Sequence, residues 1–520
     1  MAQQSPTYTQ EVKAKTRHAL LSHAVSSLTS ERAQSKVVRS DMLQQVLEYA
    51  SHYLVKYGFP SSELYDLRSI VAEFLAYDAE QTGVRNPAEL KVLYLAGPEP
   101  LNDLLVLREL GCRPQNMWAV EREGSLFVSA VNQLREHDVF VRLHQGSLQT
   151  FFEQYGGSFD LVYFDGCGPL PGGQPNTLST LLSLFSHERL SDLSVLVTNF
   201  SEVPSEKLNE FCRLMAGFSA HRYDDVPACI HSSGYDPAWG TTERLLPYVR
   251  DHFGEVYSEF VTRFVSDLAG VLIPWSRIGA NDSVMRKFFA GSGLNGSWRE
   301  MIERRSAGAY PKERPLLAFL EEMAGNQRIG AVLDALTKHR IHGKGIVESY
   351  RPVALLERAY ADNLDLASDE MLAAYRTGWI DSRRQYFCDI PMPNLVFSTL
   401  AGVYARPLFA NPERTLRLSY VAKTKRMYGD VFLFDRCRAF FDSVPSIELW
   451  PEFFSSASRQ LLFRSCIDQI GWHTFRSSVG LFWASALGGM GEHPAAYVRD
   501  FPERTFVAAA ESSAAPAPLQ

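Results

Sequence analysis

Between residues 92 and 198, five short apolar segments alternate with stretches of helical periodicity. This alternation constrains the fold more than any other feature of the chain. Repeated strand–helix units with short connections predict a doubly wound α/β fold, with a mostly parallel sheet, helices on both faces and right-handed crossovers. The predicted strands are residues 92–96, 116–121, 139–143, 159–164 and 193–198.

The rest of the chain reads as mainly helical. With 520 residues it is too long for one compact core, so we expect more than one domain. We predict an N-terminal helical segment at 1–87, an α/β domain at 88–245, a mainly helical accessory domain at 246–507 and a disordered small-residue tail at 508–520. Strand character returns at 415–434. This pair of segments either forms a hairpin local to the accessory domain or completes the first sheet.

Composition excludes few functions. The formal net charge of −7 gives no overall attraction to nucleic acids or anionic membranes. Seven cysteines without a C-x-x-C pair indicate a reducing compartment, and we predict a cytoplasmic protein with no metal site. The apolar run at 479–490 is well short of the roughly 20 residues that a membrane helix needs, so no membrane association is expected.

The first predicted strand ends in a glycine turn. Gly97 follows the apolar run, Pro100 suits the first turn of a helix, and Gly111 suits its end. Backbone N–H groups at the start of such a helix face the space beyond the carboxyl end of the strand. A carboxylate or phosphate of a ligand could bind there, although any strand–helix turn of an α/β protein would look similar.

Polar or small residues follow four successive strands. They are Gly97, Glu121, Gly146 with Ser147, and Asp165. In a doubly wound sheet, ligands bind beyond the carboxyl ends of the strands. An acid at the end of the second strand is placed to accept both hydroxyls of a ribose. The four positions together predict a nucleoside cofactor.

Residues 88–220 resemble a class I S-adenosylmethionine (SAM)-dependent methyltransferase with a Rossmann-like core. The resemblance implies that Glu121 binds the ribose and that Asp165, with the loop after it, lines the reaction centre. It also places Ala96, Gly97 and Pro98 near the methionine moiety, and Gly146 and Ser147 near adenine. The sequence departs from the family in two places. A single Gly97 followed by prolines replaces the glycine-rich G-x-G-x-G, and a serine replaces the common acid after Gly146.

The substrate is less well indicated than the cofactor. Asp165 suits a general base or an acceptor for a substrate amine, and alignment with the activated methyl group could suffice without a strong base. Cys167 lies where cytosine-C5 methyltransferases carry a nucleophile, but the proline that normally precedes it is absent, and a small packed cysteine is the alternative. Tyr235 and Trp239 could wall an aromatic substrate site or simply pack in a turn.

Lys423, Lys425 and Arg426 form the most basic local stretch. With nearby tyrosines they could contact phosphates and stack on bases, or they could be a charged hairpin loop.

The leading hypothesis is therefore a SAM-dependent methyltransferase acting on an unidentified substrate. Two alternatives remain open. One is a catalytically silent scaffold or regulatory subunit that keeps the SAM fold, and the other is a nucleic-acid-modifying methyltransferase. A protein partner or self-association through the helical regions is also compatible with the sequence.

Overall fold

The structure is a computed structural model. It describes residues 11–41, 61–83, 85–172, 176–220, 242–279, 406–422, 424–445 and 501–508, with single positions and short pieces between 43 and 51, at 403 and between 449 and 470.

One sheet organises the described residues. Its strands are β1 (Val92–Leu95), β2 (Met117–Glu121), β3 (Arg142–Gln145), β4 (Phe159–Phe164), β5 (Leu190–Ser201), β6 (Phe409–Ala410), β7 (Leu416–Ala422), β8 (Lys425–Asp435) and β9 (Thr505–Phe506). The strand order is β3-β2-β1-β4-β5-β8-β7-β9, and β6 pairs with β8. Strands β1 to β5 pair in parallel, whereas β8 runs antiparallel to β5 and β7. The predicted α/β fold class is confirmed.

The described helices are α1 (Glu11–Leu28), α2 (Ser61–Thr82), α3 (Leu101–Glu109), α4 (Gly124–Glu136), α5 (Leu148–Gln154), α6 (Thr177–Ser186), α7 (Leu208–Ala220), α8 (Thr242–Asp251), α9 (Phe253–Gly279) and α10 (Arg438–Ser443). Short 3₁₀ turns precede several of the strands. Within the described ranges, no helix has both the length and the apolar character needed to cross a bilayer.

Two hydrophobic cores lie on opposite faces of the sheet, because alternate side chains of each buried strand point to opposite sides. On one face Leu93, Val162 and Leu196 pack with side chains from α5 to α9. On the other face Val92 and Leu161 pack with side chains from α1, α3 and α4. Helix α1, the first of the described helices, therefore belongs to the sheet domain.

The strand pair at the predicted 415–434 segment completes the first sheet. β8 pairs with β5 over a long antiparallel register, from Leu193 opposite Asp435 to Ser201 opposite Met427. Helix α9, which follows the predicted boundary at residue 245, also packs into the core that contains Leu93. The sequence left open whether this hairpin is local to the accessory domain or completes the first sheet. In the structure it completes the first sheet.

Candidate functional site

The turns after β1, β2 and β3 lie side by side at the carboxyl edge of the sheet. The Ala96 N–H donates to the Val120 carbonyl over 3.0 Å, and the Gly146 N–H donates to the Glu121 carbonyl over 2.9 Å. Glu121 is also the register partner of Gln145. Parallel pairing thus brings together three of the strand-end positions that the sequence singled out.

The turn after β1 depends on the conformation of Gly97. Its φ is +57°, in the left-handed region that favours glycine. A Cβ added to Gly97 would meet no atom within 4 Å, so the turn opens onto unfilled space. Pro100 precedes α3 as its N-cap, and the Pro98 carbonyl accepts a hydrogen bond from Gln133 Nε2 over 2.9 Å. One glycine is therefore enough to shape this turn and leave room beside it.

The Glu121 carboxylate is held by the backbone of its own turn. Glu121 is half-buried, and its Oε1 accepts a hydrogen bond from the Glu123 N–H over 2.8 Å. Glu123 in turn is the N-cap residue of α4. This contact fixes the carboxylate just beyond the end of β2, where the ribose of a nucleoside was predicted to bind.

Ser147 has a structural contact of its own. Its hydroxyl oxygen accepts a hydrogen bond from the Thr150 N–H over 3.1 Å and so caps α5. A serine at this position suits a helix start. The serine after Gly146 therefore serves as an N-cap.

Asp165 lies at the centre of a polar cluster beyond β4. Its Oδ1 accepts from Asn199 Nδ2 at 2.9 Å and from the Cys167 thiol at 3.0 Å. Its Oδ2 lies 3.3 Å from Lys13 Nζ. Asn199, at 1% exposure, also contacts the Tyr420 hydroxyl, 2.8 Å from its Nδ2. The sequence singled out Asp165 and Cys167; the sheet adds Asn199 and Tyr420, and helix α1 adds Lys13.

The buried amide of Asn199 retains an unused acceptor. Its Oδ1 has no hydrogen-bond partner among the described residues, although a buried carbonyl oxygen normally has one. Asn199 stands near the end of β5, one strand away from Asp165. Two neighbouring strand ends thus present a carboxylate and an amide oxygen.

Helix α1 contributes two cations to the same edge. Lys13 contacts Asp165, and one turn later Arg17 Nε lies 2.6 Å from Asp103 Oδ1 in the first turn of α3. Burial raises the pKa of Asp103 to about 7, although Arg17 acts in the opposite direction. The spacing of Lys13 and Arg17 places them on one helix face, but nothing in their local sequence shows which edge that face approaches.

Cys167 holds a protonated thiol. Its φ is +51°, and its thiol donates a hydrogen bond to Asp165 Oδ1. The pKa of the thiol is well above its usual range, because neighbouring atoms desolvate the sulfur and because the Asp165 carboxylate disfavours a thiolate. The sulfur is desolvated even though another part of the residue is exposed. Since the thiolate is the nucleophilic form, this environment opposes covalent catalysis.

The remaining predicted site residues lie apart from this cluster or outside the described ranges. Tyr235, Trp239 and Lys423 are outside the described residues. Lys425 and Arg426 are exposed at the start of β8, and the Arg426 guanidinium lies 5.8 Å from the centre of the Phe506 ring. Across the described ranges, no group of three or more His, Cys, Asp or Glu side chains could hold a metal ion.

Comparisons with known proteins concern the fold. No protein-family model matches the sequence, and no curated protein matches it. The chain is similar to the solved structure of a SAM-dependent methyltransferase from Clostridium acetobutylicum, with 15% identity and a TM-score of 0.18 over 30% of this chain and 56% of that one. It is also similar to PKMT2 from Rickettsia typhi, with 12% identity and a TM-score of 0.20 over 49% and 48% of the two chains. The chain spans about half the length of each of these proteins. At these identities the likeness extends to the fold alone.

Proposed function

We propose that this protein is a SAM-dependent methyltransferase. The observation that carries the proposal is the meeting of four features at one sheet edge: the open Gly97 turn, the anchored Glu121 carboxylate, the Gly146 turn and the Asp165 cluster. They follow four strands that are adjacent in the order β3-β2-β1-β4. Ligands of doubly wound sheets bind at this edge.

The residues present fit the chemical groups of SAM. Glu121 would accept hydrogen bonds from the two ribose hydroxyls, because a carboxylate offers acceptors only. The backbone of Ala96, Gly97 and Pro98 would adjoin the methionine end, and Gly146 and Ser147 would adjoin adenine. When bound, SAM supplies a methyl group that its sulfonium has already activated. The protein then has to orient an acceptor and receive a proton.

The Asp165 cluster favours an acceptor that carries N–H groups. Asp165 would hold and deprotonate the reacting nitrogen, and the unpartnered Asn199 Oδ1 would accept a second N–H of the same group. An acceptor without hydrogens would leave that buried oxygen unsatisfied, at a cost of about 1–3 kcal/mol. We therefore propose an amine or amide nitrogen as the methylated atom.

Titration calorimetry with SAM and with S-adenosylhomocysteine tests the cofactor assignment. Glu121→Ala should weaken binding of both by about 1.5–3 kcal/mol, the range for hydrogen bonds to a charged group. Glu123→Ala is the matched control, because Glu123 lies two residues away and its carboxylate accepts a hydrogen bond from the Ser125 hydroxyl and makes no capping bond to α4. It should bind both ligands as the parent does.

The result also separates the proposal from the scaffold alternative. Binding of neither ligand by the parent protein would exclude the methyltransferase and leave a silent protein with this fold. Equal binding by the parent and by folded Glu121→Ala would remove Glu121 from the site.

A further inference from the structure

We propose that Lys13 is a methyl acceptor of this protein, so that the chain methylates its own N-terminal helix. The inference rests on the proposed function and adds a substrate to it. Its basis is geometric, since the Lys13 ammonium occupies the position at Asp165 where an acceptor amine is expected.

Lys13 is a chemically suitable acceptor. Its Nζ lies 3.3 Å from Asp165 Oδ2, and both side chains are largely shielded, with 16% and 14% exposure. A lysine side chain ends in a nitrogen on a flexible four-carbon stem, so the amine can move locally without moving its helix. Lys15, two residues away, is exposed and is not part of this cluster.

The helix that carries Lys13 is an integral part of the fold. Its buried residues Leu20, Leu21 and Ala24 belong to the core that contains β1 and β4. Val12, adjacent to Lys13, packs with Tyr420 and Met427 of the hairpin. Because both halves of α1 are anchored, the backbone keeps the Lys13 amine at the Asp165 cluster. The Lys13 side chain thus occupies one oxygen of the Asp165 carboxylate.

The step is a simple methyl transfer. Desolvation lowers the pKa of Lys13, but the Asp165 carboxylate outweighs it and raises the pKa overall, so the ammonium is the major form. Transfer proceeds from the minor form, in which the ammonium has given a proton to Asp165 and Nζ carries a lone pair. Nζ then bonds to the methyl carbon as the carbon–sulfur bond of SAM breaks, and the electron pair of that bond stays on sulfur. The products are methyl-lysine and S-adenosylhomocysteine, and Asp165 releases its proton to solvent. Methylation keeps the charge of the lysine, so the ion pair with Asp165 survives.

The experiment incubates the purified full-length protein with SAM alone and maps methylated lysines by peptide mass spectrometry. We expect one or more methyl groups on Lys13 and none on Lys15. Lys13→Arg should lose the modification, and the matched variant Lys15→Arg should keep it. Asp165→Asn should slow Lys13 methylation about 100-fold or more, the usual effect of losing a proton acceptor.

Two further measurements complete the test. One checks ligand binding without catalysis, and the other checks whether the methyl group passes between chains. Calorimetry with S-adenosylhomocysteine should show binding by Lys13→Arg and Asp165→Asn, which establishes that both variants are folded and competent. In a mixture with the parent, Asp165→Asn should remain unmethylated at Lys13, because the transfer occurs within one chain.

Each alternative outcome is decisive. Binding of S-adenosylhomocysteine without methylation of Lys13 overturns this inference and leaves the proposed function standing. No binding by the parent overturns both. Equal methylation of Lys13 and Lys15, or transfer to Asp165→Asn chains in the mixture, shows a non-specific or intermolecular reaction and also overturns it.

Discussion

Asp103 is a buried carboxyl group whose ionisation is opposed by its surroundings. It is 8% exposed in the first turn of α3, and burial raises its pKa to about 7 despite the adjacent Arg17. An unfolded aspartate has a pKa near 3.9. Between these two values the folded protein binds a proton that the unfolded chain does not. Stability from this group is therefore complete below about pH 4 and is lost as the pH rises through about 7.

Comparison with Asp103→Asn isolates this titration. As the pH rises from about 5 to about 8, the parent should lose about 2–3 kcal/mol of unfolding free energy relative to the variant, since each pKa unit is worth about 1.4 kcal/mol. Urea unfolding of both proteins across this range measures the difference. A difference that stays constant, or that grows in favour of the parent, would show that Arg17 holds Asp103 ionised throughout.

Individual site residues were predictable only where a local signal marks them. Glu121 and Asp165 each follow an apolar run, and a strand end in a doubly wound sheet is a recognisable place for ligand contacts. Asn199 follows the predicted 193–198 segment in the same way, but in the structure it lies within β5, which continues through Phe200 and Ser201. Lys13 carries no such signal. Its contact with Asp165 depends on the packing of α1 against a sheet whose strands come much later in the chain.

Helix α1 approaches the sheet closely at one glycine. A Cβ added to Gly429 of β8 would lie 2.9 Å from Leu20 Cδ1, closer than such carbons normally come. Leu20 is buried in the core of this face. Gly429 is also the register partner of Asn199 in β5. The absence of a side chain at Gly429 therefore helps α1 to lie against the edge that carries the candidate site.

A double-mutant cycle tests this contact. Gly429→Ala should cost about 1–3 kcal/mol through overpacking, and Leu20→Ala about 2–5 kcal/mol through a cavity. The double variant should lose less unfolding free energy than the two single variants together, by about 1 kcal/mol or more. The reason is that the new methyl group enters the space that Leu20 vacates. Gly156→Ala is the control, since a Cβ there would meet nothing within 4 Å. Strict additivity would contradict the close approach.

Strand boundaries followed the sequence most closely for β1, β2 and β4, whereas the largely buried β5 extends three residues beyond each end of the predicted 193–198 segment. The predicted 159–164 segment coincides with β4, whose residues are all buried. The predicted 139–143 segment was wrong by about three residues, because the strand is Arg142–Gln145 and none of its residues is fully buried. β3 lies at the edge of the sheet and pairs with β2 only. Such a strand need not be an apolar run, so the apolar pattern of the sequence does not show where it begins and ends. Val139 and Val141 instead pack against the core before the strand begins.

At the scale of the whole molecule, the sheet is assembled from distant parts of the chain. β7 and β8 follow β5 only after an intervening segment of more than 200 residues, and β9 comes from the region near residue 505. Helical periodicity after residue 245 predicted a separate domain, since sequence patterns report local structure. The pairing of β8 with β5 depends on contacts between residues far apart, such as Thr198 and Asp430, which no local pattern shows.

The segment 501–508 is fastened to this sheet by buried charges. Arg504 donates to both carboxylate oxygens of Asp430, at 2.5 and 3.0 Å, and also to the hydroxyls of Ser258 and Thr262 in α9. The side chains of Arg504 and Asp430 are 7% and 2% exposed. One guanidinium thus joins the region near residue 504 to β8 and to α9.

Removal of this guanidinium should loosen the whole domain. Arg504→Ala should lower the unfolding free energy by about 3–5 kcal/mol, because it leaves the buried Asp430 carboxylate without its cation. The double variant Arg504→Ala/Asp430→Asn should recover part of this loss, since it removes the uncompensated charge. Glu503→Ala, at an exposed neighbouring position, should change stability little. Urea unfolding followed by tryptophan fluorescence measures all four proteins, and an unchanged midpoint for Arg504→Ala would show that the sheet domain is stable without this attachment.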